Sequence, residues 1–402
     1  MSSDRHNARA ASRTARRRRS PTPPLRLPPG RFRAPHCPNR HCRFYRPDPE
    51  WRWNRRGYYR YHIHPRPLPR FQCSHCRRTF TARTFAATYW LHRWDLFLKA
   101  SDASVSGSGL RQTARSLGVA HSTIQRHLGR AGRQCLVRHR RMLDGKPLRE
   151  PLAFDGFESF EYSQFHPCHY NLAAGHKSWF IYGFTDSPLR RKGRMTAEQK
   201  DRRIELEARL GRPDPKAVED GILELLRTVV RTGRADDSVA DTPLLLLSDE
   251  HPAYQRSIRR LRRESGMPAL IHRVTPSTDP RTRANPLFAV NLADSLLRHC
   301  GANHRRETIA FNKRRQGGLE RLAIFTLWRN AIKSRRERKP GPTAAMEAGI
   351  LDRRWSWKDA FAWRSFPRKK DLPGSWWSYY WREVRTRALG ENQTVHRLKY
   401  AF

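Results

Sequence analysis

A chain of 402 residues with 81 Lys and Arg against 36 Asp and Glu carries a formal charge of +45 and a pI near 11.4, far beyond what solubility requires. A field of that sign and size calls for a polyanion, and nucleic acid is the commonest, because each neutralised phosphate releases a counterion. An anionic membrane is the rival, but the sequence has no apolar run of about 18 residues and no apolar region at its N-terminus, so neither a membrane span nor a secretory signal is expected.

The length allows two or three domains. Residues 1–34 hold ten arginines, one acid and five prolines. This composition predicts a disordered basic arm, and the prolines exclude the amphipathic helix of a transit peptide. The motif HCPNRHC then supplies Cys37 and Cys42, and FQCSHCRRTF supplies Cys73 and Cys76. Two close cysteine pairs on tight turns can present four thiolates to one tetrahedral Zn²⁺, and a unit with little core gains folding energy that way. A zinc ribbon is therefore expected over residues 35–85, with His36, His41 and His75 as alternative ligands. With no secretory signal, the pairing favours a structural metal in a reducing cytoplasm over disulfides. Cys135, Cys168 and Cys300 are scattered and read as buried structural residues.

Residues 86–145 read as helical. YWLHRWDLFLKA offers Trp90, Leu91, Trp94, Leu96, Phe97 and Leu98 with mixed helical periodicity. In GLRQTARSLGVAHSTIQRHLGRAG, one short helix runs through Leu117, Gly118 makes a turn, and a second helix starts near Ser122 and Thr123. Ala114, Leu117, Val119, Ile124 and Leu128 fall where two crossed helices meet, the pattern of a helix-turn-helix. His121, Ser122, Gln125, Arg126 and Arg130 are then the outward-facing residues for a DNA groove.

From about residue 150 strands alternate with helices, which predicts an α/β unit. Leu152–Phe154 reads as a strand carrying Asp155, and Trp179–Phe184 as another. Two helices follow, MTAEQKDRRIELEARLGR and PKAVEDGILELLRTVVRTGR, with Ile222, Leu223, Leu225, Leu226 and Val229 as an apolar face. Leu244–Leu247 is apolar enough for a strand buried on both faces, and it runs into Asp249. Two carboxylates at the ends of neighbouring strands stay ionised when a cation sits between them, and Mg²⁺ or Mn²⁺ is the natural ion. A second ion would complete a clamp for in-line phosphoryl displacement. The alternative is structural: Asp155 caps a turn, and Ser248 or Asp249 caps the helix that begins near Pro252, with Glu158 and Glu250 as solvated neighbours.

In this order, QCSHCRRTF, the pair AFDGF and LLSDEHPAY, and NLADSLLRHCGANHRRETIAFNKR resemble the DDE transposases of bacterial insertion sequences. The resemblance covers roughly residues 35–335. It implies an RNase H-like catalytic domain over 146–335 behind the zinc ribbon and helix-turn-helix. In such transposases the last acid opens a helix, a basic residue follows seven positions later, and an Arg-x-Thr-x-x-Phe-x-Lys signature comes downstream. Arg306, Thr308, Phe311 and Lys313 supply the signature and Arg298 the basic residue, but the position seven before Arg298 is Asn291. Asp294, one turn further along, is the first substitute as third acid, and Glu307 the second. The basic residues Arg298, His304, Arg305, Arg306, Lys313, Arg314 and Arg315 would lie beside the site and contact DNA phosphates.

The expected function is metal-dependent phosphodiester hydrolysis and strand transfer. The partners would be double-stranded DNA, both terminal repeats and target, and a second copy of the chain or more; no membrane is involved, and the expected place is the bacterial nucleoid. A non-catalytic DNA-binding regulator derived from a transposase is the alternative, and a nuclease without strand transfer a third. Residues 336–402 form a basic tail rich in tryptophan; so many indoles in one region predict a local core ahead of base stacking.

Overall fold

A computed structural model describes residues 32–60, 67–233, 242–305, 308–338, 341–367 and 372–389. The expected basic arm lies almost wholly outside these residues, as do Arg306 and Glu307.

The N-terminal unit is a three-stranded antiparallel sheet of β1 (Trp53–Tyr59), β2 (Leu68–Cys73) and β3 (Thr79–Thr81). Its small core joins the four cysteines to Phe44, Trp51, Phe71, Phe80 and Phe85, and Phe366 from the distant tail closes it.

Three helices follow: α1 (Phe97–Ser104), α2 (Leu110–Ser116) and α3 (His121–Met142). The turn between α2 and α3 falls at Gly118, whose φ of +62° is left-handed and favours glycine there. The expected helix around Trp90 and Leu91 is turn structure instead, and helix proper begins at Phe97. The second expected helix continues for 22 residues, and its C-terminal half is buried deep in the protein. Gly129 and Gly132 make that possible, because a Cβ at Gly132 would stand 2.5 Å from the backbone oxygen of Glu320 on α8 (Arg315–Leu327). Two helices this close tolerate no side chain between them.

The central sheet has five strands in the order β6-β5-β4-β7-β8. They are β4 (Leu152–Phe160), β5 (Pro167–Gly175), β6 (Ile181–Pro188), β7 (Leu244–Ser248) and β8 (Leu270–Val274). β4, β5 and β6 form an antiparallel meander, while β7 and β8 run parallel to β4. β4 and β7 are the strands expected from the sequence, β6 starts two residues later than expected, and β5 and β8 were not expected. Trp179 has a φ of +62° and ends the turn before β6. β5 was hidden because His169 and Asn171 interrupt its apolar residues; Asn171 is fully buried, donating to Thr185 Oγ1 at 3.1 Å and Ser187 Oγ at 3.0 Å.

Between β6 and β7 lie α4 (Ala197–Leu210) and α5 (Ala217–Gly233), and between β7 and β8 lies α6 (Pro252–Leu261). The apolar face expected around Ile222 and Val229 is buried on β5 and β6, where Thr185 Oγ1 donates to the Gly221 carbonyl at 2.7 Å. The opposite face of the sheet carries α8, α3 beyond it, and α7 (Phe288–Cys300), which packs on β4 and β5. The result is a mixed α/β architecture with helices on both faces of a mixed sheet.

The helical segment, the sheet and the tryptophan-rich tail share one apolar core running from Ala87 to Tyr380. The tail adds two single turns, α9 (Ala344–Glu347) and α10 (Trp357–Ala360), and then α11 (Gly374–Trp381). The last of these buries Trp376, whose Nε1 donates to the Phe184 carbonyl at 2.7 Å. Trp357 stacks on Phe361, and Trp355, Trp377 and Trp381 pack partly buried against the core, so these indoles build structure; Trp363 is 42% exposed. Among the described residues, no helix is long and apolar enough to cross a membrane.

Candidate active site and metal centre

The cysteine tetrad is the tightest ligand cluster among the described residues. The sulfurs of Cys37, Cys42, Cys73 and Cys76 all lie within 4.8 Å of one another, with Cys37 3.5 Å from Cys76 and Cys42 4.0 Å from Cys73. A tetrahedral site with Zn–S bonds of ~2.3 Å has sulfur–sulfur edges of ~3.8 Å, so the four thiolates could bind zinc. Three of them are buried and Cys76 is partly so. Burial pushes the Cys73 thiol up, but backbone N–H groups of Cys76 and His75 and the Trp51 indole, 3.3 Å from the sulfur, outweigh it and bring it down to about 7. Of the alternative ligands, His36 is buried in an aromatic nest of Tyr45, Phe85 and Phe366, and His41 accepts from Arg40 Nε at 2.9 Å. His75 Nδ1 lies 3.5 Å from the Cys42 sulfur, at the edge of the tetrad.

The acidic site forms where β7 leaves the sheet. Ala153 pairs with Leu247 across the parallel β4–β7 ladder, which brings Asp155, two residues further along β4, beside Asp249, the first residue past the end of β7. Asp155 Oδ1 accepts from the Gly156 amide at 2.7 Å and the Tyr254 hydroxyl at 3.0 Å. Burial and then the neighbouring Asp249 push the Asp155 carboxyl up from 3.8 to about 6. Asp249 Oδ1 accepts from the His251 amide at 2.9 Å, and it does not cap α6. That cap is His251, whose Nδ1 accepts from the Ala253 amide at 3.3 Å ahead of Pro252. Glu250, expected as a solvated neighbour, holds the following loop by accepting from Ser277 N and Oγ, both at 3.0 Å.

Asp294 reaches the same site from α7. Ala293 and Leu297 bury the helix against the sheet, which turns Asp294 inward at the margin of that face. Burial and then Asp155 raise its carboxyl well above the usual range, against the pull of Arg298 and Arg281. Its Oδ1 is buried with no hydrogen-bond partner, an expensive state for a carboxylate. Asn291 is half-buried on the same helix, and its carbonyl accepts from Ser295 Oγ at 2.9 Å. Asp155 is influenced by Asp249 and in turn influences Asp294, yet the three do not close into a cluster: among the described residues, only the cysteine tetrad brings three or more such ligands within 4.8 Å.

Tyr254 and Arg281 carry no signal in the sequence. Tyr254 sits six residues after Ser248 in LLSDEHPAY, and only the turn of α6 aims its hydroxyl back at Asp155. Arg281 lies in an exposed loop without a pattern of its own.

The basic candidates divide by burial. His121, Ser122, Gln125 and Arg126 are exposed along the start of α3. Arg130 is only 3% exposed and is no groove residue; it faces the core one turn after Arg126, where α3 begins to be covered. Arg305 and Lys313 are exposed, the latter with its ammonium 3.0 Å from the centre of the Phe311 ring. Arg298 is half-buried beside Asp294, its guanidinium 4.5 Å over the Phe157 ring, and Arg314 stands at the N-cap position of α8 without a side-chain cap. His304 is buried between Phe157 and Tyr170, and burial pushes its imidazole down to about 3. Arg315 is ion-paired to Asp186 inside the protein. Neither His304 nor Arg315 is available to a phosphate. A scan against models of known protein families found none that matches this chain.

Proposed function

We propose that the protein is a metal-dependent DNA strand-cleaving and strand-joining enzyme of the DDE transposase type, with an RNase H-like catalytic domain. One observation carries the reading: Asp155 on β4 has Asp249, just past the end of the parallel strand β7, and Asp294 on α7 as acidic neighbours, and Asp294 keeps a buried, unpartnered carboxylate oxygen. The strand order, a three-stranded meander with two parallel strands added beside its first member, supports the fold assignment. The charge of +45 and the exposed start of α3 support DNA as the substrate.

The carboxylates fit Mg²⁺ or Mn²⁺, hard ions that take oxygen ligands. When bound, the metal supplies charge stabilisation for an in-line displacement at phosphorus and a more acidic water or hydroxyl. Asp155 and Asp249 would hold it, and Asp294 would complete the site. Tyr254 orients Asp155 by donating to it, and Gly156 N–H fixes the same oxygen. Arg298 and Arg281 draw Asp294 towards its ionised form and would balance phosphate charge nearby. Pairing of two DNA ends would require at least a dimer.

The test is cleavage and joining of plasmid DNA carrying the gene's own flanking sequence, with Mg²⁺ present or chelated. Activity in the wild type that disappears on chelation and in Asp249→Ala is the expected result. If wild type and variant are equally inert while both bind the DNA, the chain is a regulator and the catalytic reading is wrong. Nicking without joined products would identify a nuclease instead.

A further inference from the structure

A cavity of about 250 Å³ opens between the cysteine-bearing unit, the segment before α1 and the C-terminal tail. It far exceeds the roughly 15 Å³ that one water needs. Arg364 forms its inner wall and is only 6% exposed. One nitrogen, Nη1, donates to the Thr84 carbonyl at 3.1 Å, while Nε and Nη2 are buried without a hydrogen-bond partner. The rim carries Arg40 and Arg78, both exposed, and Arg40 lies 5.1 Å over the Trp381 ring. Among the described residues, no carboxylate lines the cavity.

Positive charge is also crowded behind this wall. Arg130 and Arg133 on α3 are 3% and 4% exposed, and burial first, then the charges of Arg364 and Arg133, lower the basicity of Arg130. The carboxylate that acts on this group is Glu320, which Arg382 already bridges at 2.8 Å. The two N–H-bearing nitrogens that Arg364 leaves unpartnered belong to one planar fork, the shape that matches phosphate oxygens.

We propose that this cavity is a phosphate-binding site formed by Arg364, Arg40 and Arg78, and that it holds a backbone phosphate of a nucleic-acid strand. The strand assignment rests on the DNA reading above; the phosphate site does not. Guanidinium groups from the metal-binding unit and the tail would together grip one phosphate, tying DNA binding to the closure of these two segments.

The full zinc-loaded chain is titrated with inorganic phosphate by calorimetry, and with a short duplex by fluorescence anisotropy across a salt series. Arg364→Gln removes the inner charge and the guanidinium fork; Arg40→Ala with Arg78→Ala alters only exposed residues and guards against misfolding. Phosphate affinity should fall about tenfold or more in both proteins, and the slope of log affinity against log salt for the duplex should shrink by about one for each phosphate that is no longer gripped. Inorganic phosphate binding that is absent in the wild type, or unchanged in both variants, overturns the site. Variants that fail to bind phosphate yet keep the wild-type duplex affinity and salt slope overturn the strand assignment. The phosphate titration contains no DNA, so its result is independent of whether the protein cuts DNA.

Discussion

Asp155→Asn separates the stability of the acidic site from its function. Asn keeps the Oδ1 that accepts from Gly156 and Tyr254, so the substitution removes charge with little change of shape. In the folded protein the Asp155 carboxyl titrates at about 6 instead of its ordinary 3.8, because burial and Asp249 disfavour its ionised form. An acid with a raised folded value destabilises the fold as it ionises: the cost is absent below pH 3.8, grows between 3.8 and about 6, and is complete above that. A shift of roughly two units at 1.36 kcal/mol each makes the plateau about 3 kcal/mol. Asp155→Asn should therefore be more stable than wild type by up to about 3 kcal/mol at pH 8, equal to it near pH 3.5, and inactive throughout. The assay is urea unfolding at fixed ionic strength from pH 3.5 to 8, followed by tryptophan fluorescence. Added Mg²⁺ should stabilise wild type and narrow the gap. A variant less stable than wild type at pH 8, or a difference that ignores pH, would refute the reasoning.

Other perturbations test other parts of the molecule. Cys73→Ser should lower zinc content below one per chain by atomic absorption and release the small core around Trp51, which reports the change in its fluorescence. Gly132→Ala would place a Cβ 2.5 Å from the Glu320 carbonyl, so the α3–α8 contact must open at a cost of about 1–3 kcal/mol, seen as a lower urea midpoint; an unchanged midpoint would mean that the helices are not so close. Arg126→Ala should weaken duplex binding and reduce its salt slope by about one without altering stability. Arg130→Met, by contrast, should change stability and leave the salt slope alone, since Arg130 is buried.

The spacing of Cys37, Cys42, Cys73 and Cys76 was enough to foretell the tetrad, because two close cysteine pairs can fill one tetrahedral site whatever surrounds them. Asp155 and Asp249 were legible as candidates, each following a run of apolar residues read as a strand. The alignment of the two was not: it depends on the Ala153–Leu247 pairing, a register that neither strand encodes alone. The sequence pattern left Asn291, Asp294 and Glu307 in play. Burial of α7 on the sheet brings Asp294 to Asp155, while Glu307 lies outside the described residues.

Composition and local period thus determined the charge, the paired cysteines, the helix-turn-helix pattern and the alternation of strands with helices. These properties depend on neighbours within a few residues, and a linear pattern carries them. Tertiary structure alone decided which cations are free. Arg126 and Arg130 are one turn apart on α3, yet the first is exposed and the second is sealed beneath the tail, as Arg315 is by Asp186. Exposure depends on which distant surface arrives to cover a residue, and here α8, α11 and Phe366 come from far along the chain.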